Sequence, residues 1–277
     1  QLEFLEGMTS RKFDVDFSVQ NIETNAIAFD DNFQPIRNQE GELLTRPAGH
    51  GALLENVSEV DADLIFIKNI DNIQHYNHSE IAVETQRMLG GLFLEVQQEI
   101  EKLIGDFSEE AWNAFNSEYQ LFHESVNDLS HAEKLELLQR PLRICGMVRN
   151  EGQPGGGPFW VENNGEITKQ IVEKAQINPK SDQVRVMIQS SHFNPVIMVC
   201  QGKRSDGTKF DLHAFKDEHA YFKVSKSHNG QSIHFVELPG LWNGSMAKWN
   251  TVFVEIPSAT FSPVKSILDL LDKAHQP

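Results

Sequence analysis

The chain has 277 residues, 39% hydrophobic and 23% charged, which suits one soluble globular domain, or one with an insertion. Its net charge of -16 excludes a duplex-binding role built on phosphate neutralisation and disfavours anionic lipid surfaces. Two cysteines, Cys145 and Cys200, both inside apolar runs, read as reduced core thiols rather than a disulfide framework or zinc site.

The start, Gln1-Leu2-Glu3-Phe4-Leu5-Glu6, lacks both a basic n-region and a long apolar stretch, so it is no signal peptide. It also lacks an initiator Met, and the chain reads as a piece of a longer polypeptide. No apolar run reaches membrane-spanning length, and the expected compartment is the cytoplasm.

Phe13–Gln20 alternates apolar and polar residues, as a half-buried strand would. Asp30-Asp31-Asn32 and Asn38-Gln39-Glu40-Gly41 carry turn chemistry, so Ala26–Thr45 predicts a hairpin. Arg46-Pro47-Ala48-Gly49-His50-Gly51 is a tight loop, and Ala52–Val60 reads as a short helix. Asp63–Lys68 is a nearly continuous apolar run, as expected for a strand covered on both faces. Residues 76–141 show helical spacing, with helix starts at Ser108-Glu109-Glu110 and at the capping box Ser130-His131-Ala132-Glu133. This stretch reads as a helical insertion within a single domain spanning 1–277. Beyond it, Leu142–Val148, Gln183–Ile188, Val196–Cys200, Ile233–Leu238 and Thr251–Ile256 are candidate strands, and Val264–Ala274 a closing helix. Between the first two strands lies the glycine-rich stretch Gly152–Pro158.

Several polar residues stand where chemistry could be done. The apolar run Ile65-Phe66-Ile67-Lys68 ends abruptly in Asn69-Ile70-Asp71-Asn72. Ligands of open α/β sheets bind beyond the carboxyl ends of strands, and Mg²⁺ prefers carboxylate and phosphate oxygens, so Asp71 is a candidate metal ligand. The alternative is a turn or helix cap. Gly49 and Gly51 flank His50 and would let backbone approach a flat ligand; an ordinary turn reads equally well. Gly155-Gly156-Gly157-Pro158-Phe159-Trp160 could close over a sugar with Trp160 as a stacking face, or be a surface loop. It is not a P-loop, since no Gly-Lys-Ser/Thr follows. Glu173, His192, Asn194 and Lys248 each border an apolar run; salt-bridged, partly buried or solvated roles are the plain alternatives.

The order of these pieces carries more than any one of them. Phe17-Ser18-Val19-Gln20, then Gly49-His50-Gly51, then Ile67-Lys68-Asn69-Ile70-Asp71-Asn72 resembles the UDP-sugar pyrophosphorylases, most of all the UDP-N-acetylhexosamine branch. Val172-Glu173, Asn194 and Lys248 follow in a similar order. Over nearly its whole length the chain is similar to a bacterial family of unknown function that itself resembles nucleotidyltransferases. The matching segments are Arg46–Leu53, Phe66–Asn72 and Glu151–Trp160.

The resemblance implies an α/β fold of the nucleotide-diphospho-sugar transferase type: a mixed, mainly parallel sheet flanked by helices, with its N-terminal part missing. It implies that Gln20 and Gly49–Gly51 contact the nucleobase, Asp71 binds Mg²⁺, and Glu173 and Asn194 hold sugar hydroxyls. Gly157 would sit near the sugar, and Lys248 would act catalytically by neutralising phosphate charge. The expected substrates are a nucleoside triphosphate and a sugar 1-phosphate, with release of pyrophosphate. The family's glycine-rich phosphate loop is absent and would lie upstream of Gln1; the alternatives are a non-catalytic nucleotide-sugar binding module or a glycosyltransferase of the same fold. His50 stands where the hexosamine branch has Asn, which leaves base preference open, and Asp211 is a weak second metal candidate.

Overall fold

The computed structural model describes residues 2–152, 155–228 and 231–277. Gln153 and Pro154, part of the glycine-rich stretch, lie outside the described residues. The fold is mixed α/β. Its strands are β1 (Ala26–Phe29), β2 (Thr45–Arg46), β3 (Leu64–Lys68), β4 (Leu142–Arg149), β5 (Gly157–Asn163), β6 (Glu166–Val172), β7 (His192–Phe193), β8 (Ile197–Gln201), β9 (Phe222–His228), β10 (Gln231–Glu237) and β11 (Asn250–Glu255). Its α-helices are α1 (Leu2–Thr9), α2 (Leu53–Glu59), α3 (Glu80–Gly105), α4 (Glu109–Tyr119), α5 (His131–Leu138) and α6 (Gln183–Ile188).

The central sheet has the order β11-β4-β8-β3, with β7 also paired to β4. β11 and β4 are parallel, and β8 is antiparallel to both β4 and β3. Strands β3, β4 and β11 therefore run the same way, and their carboxyl ends share one rim. A second sheet, β2-β1-β10-β9, is antiparallel, and β5-β6 is a separate hairpin.

Alternation along the central strands sorts their side chains onto two faces. Leu142, Ile144, Val148, Ile197, Val199 and Val252 pack with Leu89, Phe93, Val96 and Trp112 of the helical layer. Cys145, Met147, Met198 and Cys200 face the other way, against Leu54, Ile171, Leu241 and Met246. Helix α3 supplies its share through buried Leu89, Phe93, Val96, Ile100 and Leu103, spaced by three or four residues. Each such side chain contributes roughly 1.5–3 kcal/mol by leaving water. The helical stretch thus shares a core with the sheet.

The helix starts read from sequence are present. Ser108 accepts from the Ala111 N–H, and Ser130 and Glu133 form the full capping box. Ser130→Ala should cost about 1 kcal/mol in urea unfolding, with no change in far-UV helicity; an unaltered midpoint would mean that α5 is held by packing alone.

Five expectations are corrected. The central sheet is mixed but not mainly parallel: among the described strands β11-β4 is its one parallel pair, and β4-β8, β3-β8 and β4-β7 are antiparallel. Residues 13–20 form no strand: Phe17 and Val19 are almost fully exposed and pair with no described strand. Gln183–Ile188 is helix α6, with Val186 and Ile188 exposed and no pairing to a described strand. Asp63–Lys68 gives a strand, but among the described residues it lies at a sheet edge, with Phe66 half exposed. Val264–Ala274 makes two 3₁₀ turns, 267–271 and 273–275, rather than an α-helix. Its apolar side chains, including Ile267 and Leu271, are exposed, so no packing rewards a longer helix.

Candidate functional site

The loop 46–51 is fixed from both sides. Arg46 pairs with Glu237 and lies over the Phe235 ring at 4.2 Å. The Gln20 amide, in the orientation that satisfies both its ends, donates to Ala48 O at 3.1 Å and accepts from Ala48 N at 2.8 Å. Gln20 therefore holds the loop that bears His50. The glycines serve close approach to the chain's own backbone: a Cβ on Gly51 would lie 2.7 Å from Leu238 O, and one on Gly49 would collide with the Glu237 carboxylate.

His50 is the centre of a compact cluster. Its Nδ1 accepts the Leu241 N–H at 2.9 Å, which leaves the neutral ring's hydrogen on Nε2, 3.7 Å from Glu173 Oε1. The ring stacks on Trp242, centroids 3.7 Å apart and planes nearly parallel at 3°. Trp242 Nε1 in turn donates to Glu173 Oε1 at 3.0 Å. Glu173 stands just past β6, where its N–H donates to Gln176 Oε1 at 2.8 Å. Asn243 ties the Trp242 loop to β6 by donating to Ile171 O at 2.7 Å.

The glycine-rich loop joins this cluster. A Cβ on Gly156 would lie 3.2 Å from Glu173 Cγ, and one on Gly157 would lie 2.6 Å from Ser190 Oγ. Asn194 binds Gly156 O through its own N–H at 2.8 Å. Its side chain donates to Gly146 O at 2.8 Å and accepts from Val196 N at 3.0 Å. Asn194 is buried and spends its amide on backbone, so it anchors the loop. Beside Glu173 opens a cavity of about 460 Å³, with Phe159, Val172, Gln176, Met187, His219 and Tyr221 in its lining. That volume and apolar character suit a small organic ligand.

Burial sets the electrostatics. It pushes the His50 pKa down from 6.5 to about 4, so the ring is neutral near pH 7. It pushes the Glu173 carboxyl up, against the opposing hydrogen bond from Trp242. A histidine with a depressed folded pKa leaves stability complete above its unfolded value and removes it as pH falls. Acidification from pH 6.5 toward 4 should therefore cost up to roughly 3 kcal/mol through His50. Glu173 acts with the opposite sign, since its raised pKa favours the folded state at low pH. Urea titrations of wild type and His50→Asn at pH 7.5 and 4.5 separate the two. The wild type should lose the larger share of its stability on acidification, and equal losses would remove His50 from the account.

A second group lies on the carboxyl rim. Asp71, just past β3, pairs with Lys265 at 2.7 Å and accepts the Val264 N–H on its carbonyl at 2.8 Å. Buried Asn72 donates to Thr260 O at 3.1 Å and accepts from Ser262 N at 2.9 Å. Gln74 bonds Ser262 Oγ at 3.1 Å. The segment 259–265 is thus fastened across the end of β3. Asn194, ahead of β8, belongs to the same rim because β8 runs antiparallel to β3, with Ile197 beside Lys68.

The structure brings together Gln20, Gly49, His50, Gly51, Gly157, Glu173 and Asn194, and puts Asp71 on the rim to which Asn194 belongs. Lys248 stands apart. It is exposed and precedes β11, at the opposite end of the sheet. The cation beside Asp71 is Lys265, which sequence reasoning missed. Its only local signal is a lysine between Pro263 and the 3₁₀ start at Ser266. Among the described residues, no group of three or more His, Cys, Asp or Glu could hold a metal ion. A single carboxylate at Asp71 still fits Mg²⁺ in its usual mode, one protein carboxylate completed by water and substrate phosphates. No described helix is long and apolar enough to cross a membrane.

No curated protein matches the sequence. Among solved structures, the chain is similar to a UDP-glucose pyrophosphorylase from Leishmania major in complex with UDP-glucose, with a TM-score of 0.46 and 15% identity, covering 98% of this chain and 50% of that one. It is also similar to a UDP-glucose phosphorylase from Trypanosoma brucei, with a TM-score of 0.45 and 15% identity, covering 89% of this chain and 45% of that one. The chain spans about half the length of these structures. A family model described as Domain of unknown function (DUF4301) matches residues 1–276, and the chain belongs to that family.

Proposed function

We propose that the chain is the nucleotide-sugar-binding part of a nucleotidyltransferase-like protein, with a fold of the nucleotide-diphospho-sugar transferase type. The observation that carries this reading is the Asp71–Lys265 pair at the carboxyl end of β3, on the rim that also bears Asn194. A carboxylate for a hard cation, an ammonium for phosphate and a fixed carboxylate for hydroxyl groups are the parts that such a ligand needs.

In the full-length protein the reaction is transfer of a nucleotidyl group from a nucleoside triphosphate to a sugar 1-phosphate. A phosphate oxygen of the sugar 1-phosphate attacks the α-phosphorus, the bond to the β-phosphate's bridging oxygen breaks, and pyrophosphate leaves. Such a step asks mainly for in-line positioning and charge stabilisation. Glu173, held at Oε1 by Trp242, would accept hydrogen bonds from sugar hydroxyls. Gln20 and Gly49–Gly51 would frame the base, with Asn194 and Gly157 shaping the sugar side. Lys265 would exchange its contact with Asp71 for the phosphates, the role that the resemblance implies for Lys248. Mg²⁺ held by Asp71 would neutralise phosphate charge when bound.

The test is pyrophosphate release from UTP with glucose 1-phosphate or N-acetylglucosamine 1-phosphate and Mg²⁺, using the full natural polypeptide. Release that stops on Glu173→Ala and Lys265→Ala supports the reading. Tight binding of the UDP-sugar without release would make the protein a binding module. Absence of both would end the proposal.

A further inference from the structure

A second cavity, of about 290 Å³, lies at the other end of the β5-β6 hairpin, between the hairpin turn and helix α5. Its lining includes Arg140, Glu166, Lys169 and Trp249 together with apolar Phe122 and Leu137. The charges in this lining are unequally committed. Glu166 is paired with Arg140. Glu133 is bound to Ser130 in the capping box of α5. Glu136 is exposed, where water and salt screen it.

The cation left uncommitted is Lys169. The Lys169 ammonium has aromatic rings as its described partners, Trp160 at 5.2 Å and Phe253 at 6.0 Å, and no carboxylate among the described residues. Burial also pushes the Lys169 pKa down to about 8, the mark of an amine kept from solvent without a counter-charge.

We propose that this cavity binds a small apolar monocarboxylate, its carboxylate meeting Lys169 and its hydrocarbon body meeting Phe122 and Leu137. The site is separate from the His50–Glu173 cluster and does not depend on the function proposed for it. The two are joined by β6, since Lys169 and Glu173 lie four residues apart, about 13 Å along a strand. Occupancy would fasten the hairpin that carries Glu173 to the helical layer.

The probes are phenylacetate and 4-methylpentanoate, titrated calorimetrically into the 277-residue chain, with phenylacetamide as the uncharged control. Saturable binding of the acids is expected, weakened about tenfold or more by Lys169→Met. Phenylacetamide should bind at least about tenfold more weakly than phenylacetate. Far-UV circular dichroism checks that the variant is folded. Failure of both acids to bind wild type, or equal phenylacetate affinity in folded Lys169→Met, overturns the proposal.

Discussion

Replacing Asp71 by Ala should abolish the Mg²⁺ dependence of UTP binding and weaken binding in the presence of Mg²⁺ by about 100-fold, or about 2.7 kcal/mol. Asp71 is the carboxylate at the end of β3, and its partner Lys265 is mostly exposed and free to turn toward phosphate. The variant removes the one protein ligand that Mg²⁺ would have there, and it also releases Lys265. The two effects oppose each other: a freed ammonium helps phosphate while the lost carboxylate harms the cation. Without Mg²⁺, Asp71→Ala should therefore bind UTP as well as wild type or better. Lys265→Ala should instead weaken UTP binding with and without Mg²⁺. Calorimetry on both variants in both conditions reads the crossed pattern, and parallel losses in all four titrations would leave Asp71 with only a structural role.

The second large effect is on stability. Arg143 is fully buried in β4, and no carboxylate lies among its described ion-pair partners. Its Nε donates to Thr251 Oγ1 at 2.9 Å and its Nη1 to Trp242 O at 2.8 Å, with the Met246 sulfur at 3.3 Å. Nη2 has no described partner. The guanidinium thus holds the Trp242 loop onto the sheet from below, while His50 stacks on the same indole. Arg143→Ala leaves a cavity and an unpaired buried carbonyl, and should cost about 3–5 kcal/mol. Arg143→Met fills the space and removes a buried charge that lacks a counter-ion, so its cost should stay below about 2 kcal/mol. Urea unfolding at pH 7.5 separates the two. Equal costs would show that the hydrogen bonds to Trp242 and Thr251, rather than volume, decide the effect.

Local signals were the legible ones. Ser108, Ser130 and Glu133 declare helix starts because the cap is made within one turn of chain. Asn38 likewise declares its turn, its side chain accepting from Glu40 N and Glu42 N. The apolar runs 142–148 and 196–200 became central strands because burial on both faces leaves no polar alternation to misread. Alternation alone misleads at 13–20, since it says which way side chains point but not whether a neighbouring strand exists. The site was half legible for the same reason. Gly49-His50-Gly51 and Glu173 stood out by type and order. The stack of His50 on Trp242 joins residues 192 positions apart, and the Asp71–Lys265 pair joins residues 194 apart. Neither leaves a pattern in the local sequence, where Lys265 carries no motif and Lys248 stands out by its order in the resemblance.

The central claim is that one rim of the sheet holds the ligand, and hydrogen exchange with and without UTP and Mg²⁺ tests it most directly. Protection is expected in the segments 46–52, 69–74, 155–157, 171–176 and 259–266, with little change around Lys248. Protection confined to the opposite end of the sheet, or none at saturating UTP, would contradict the account.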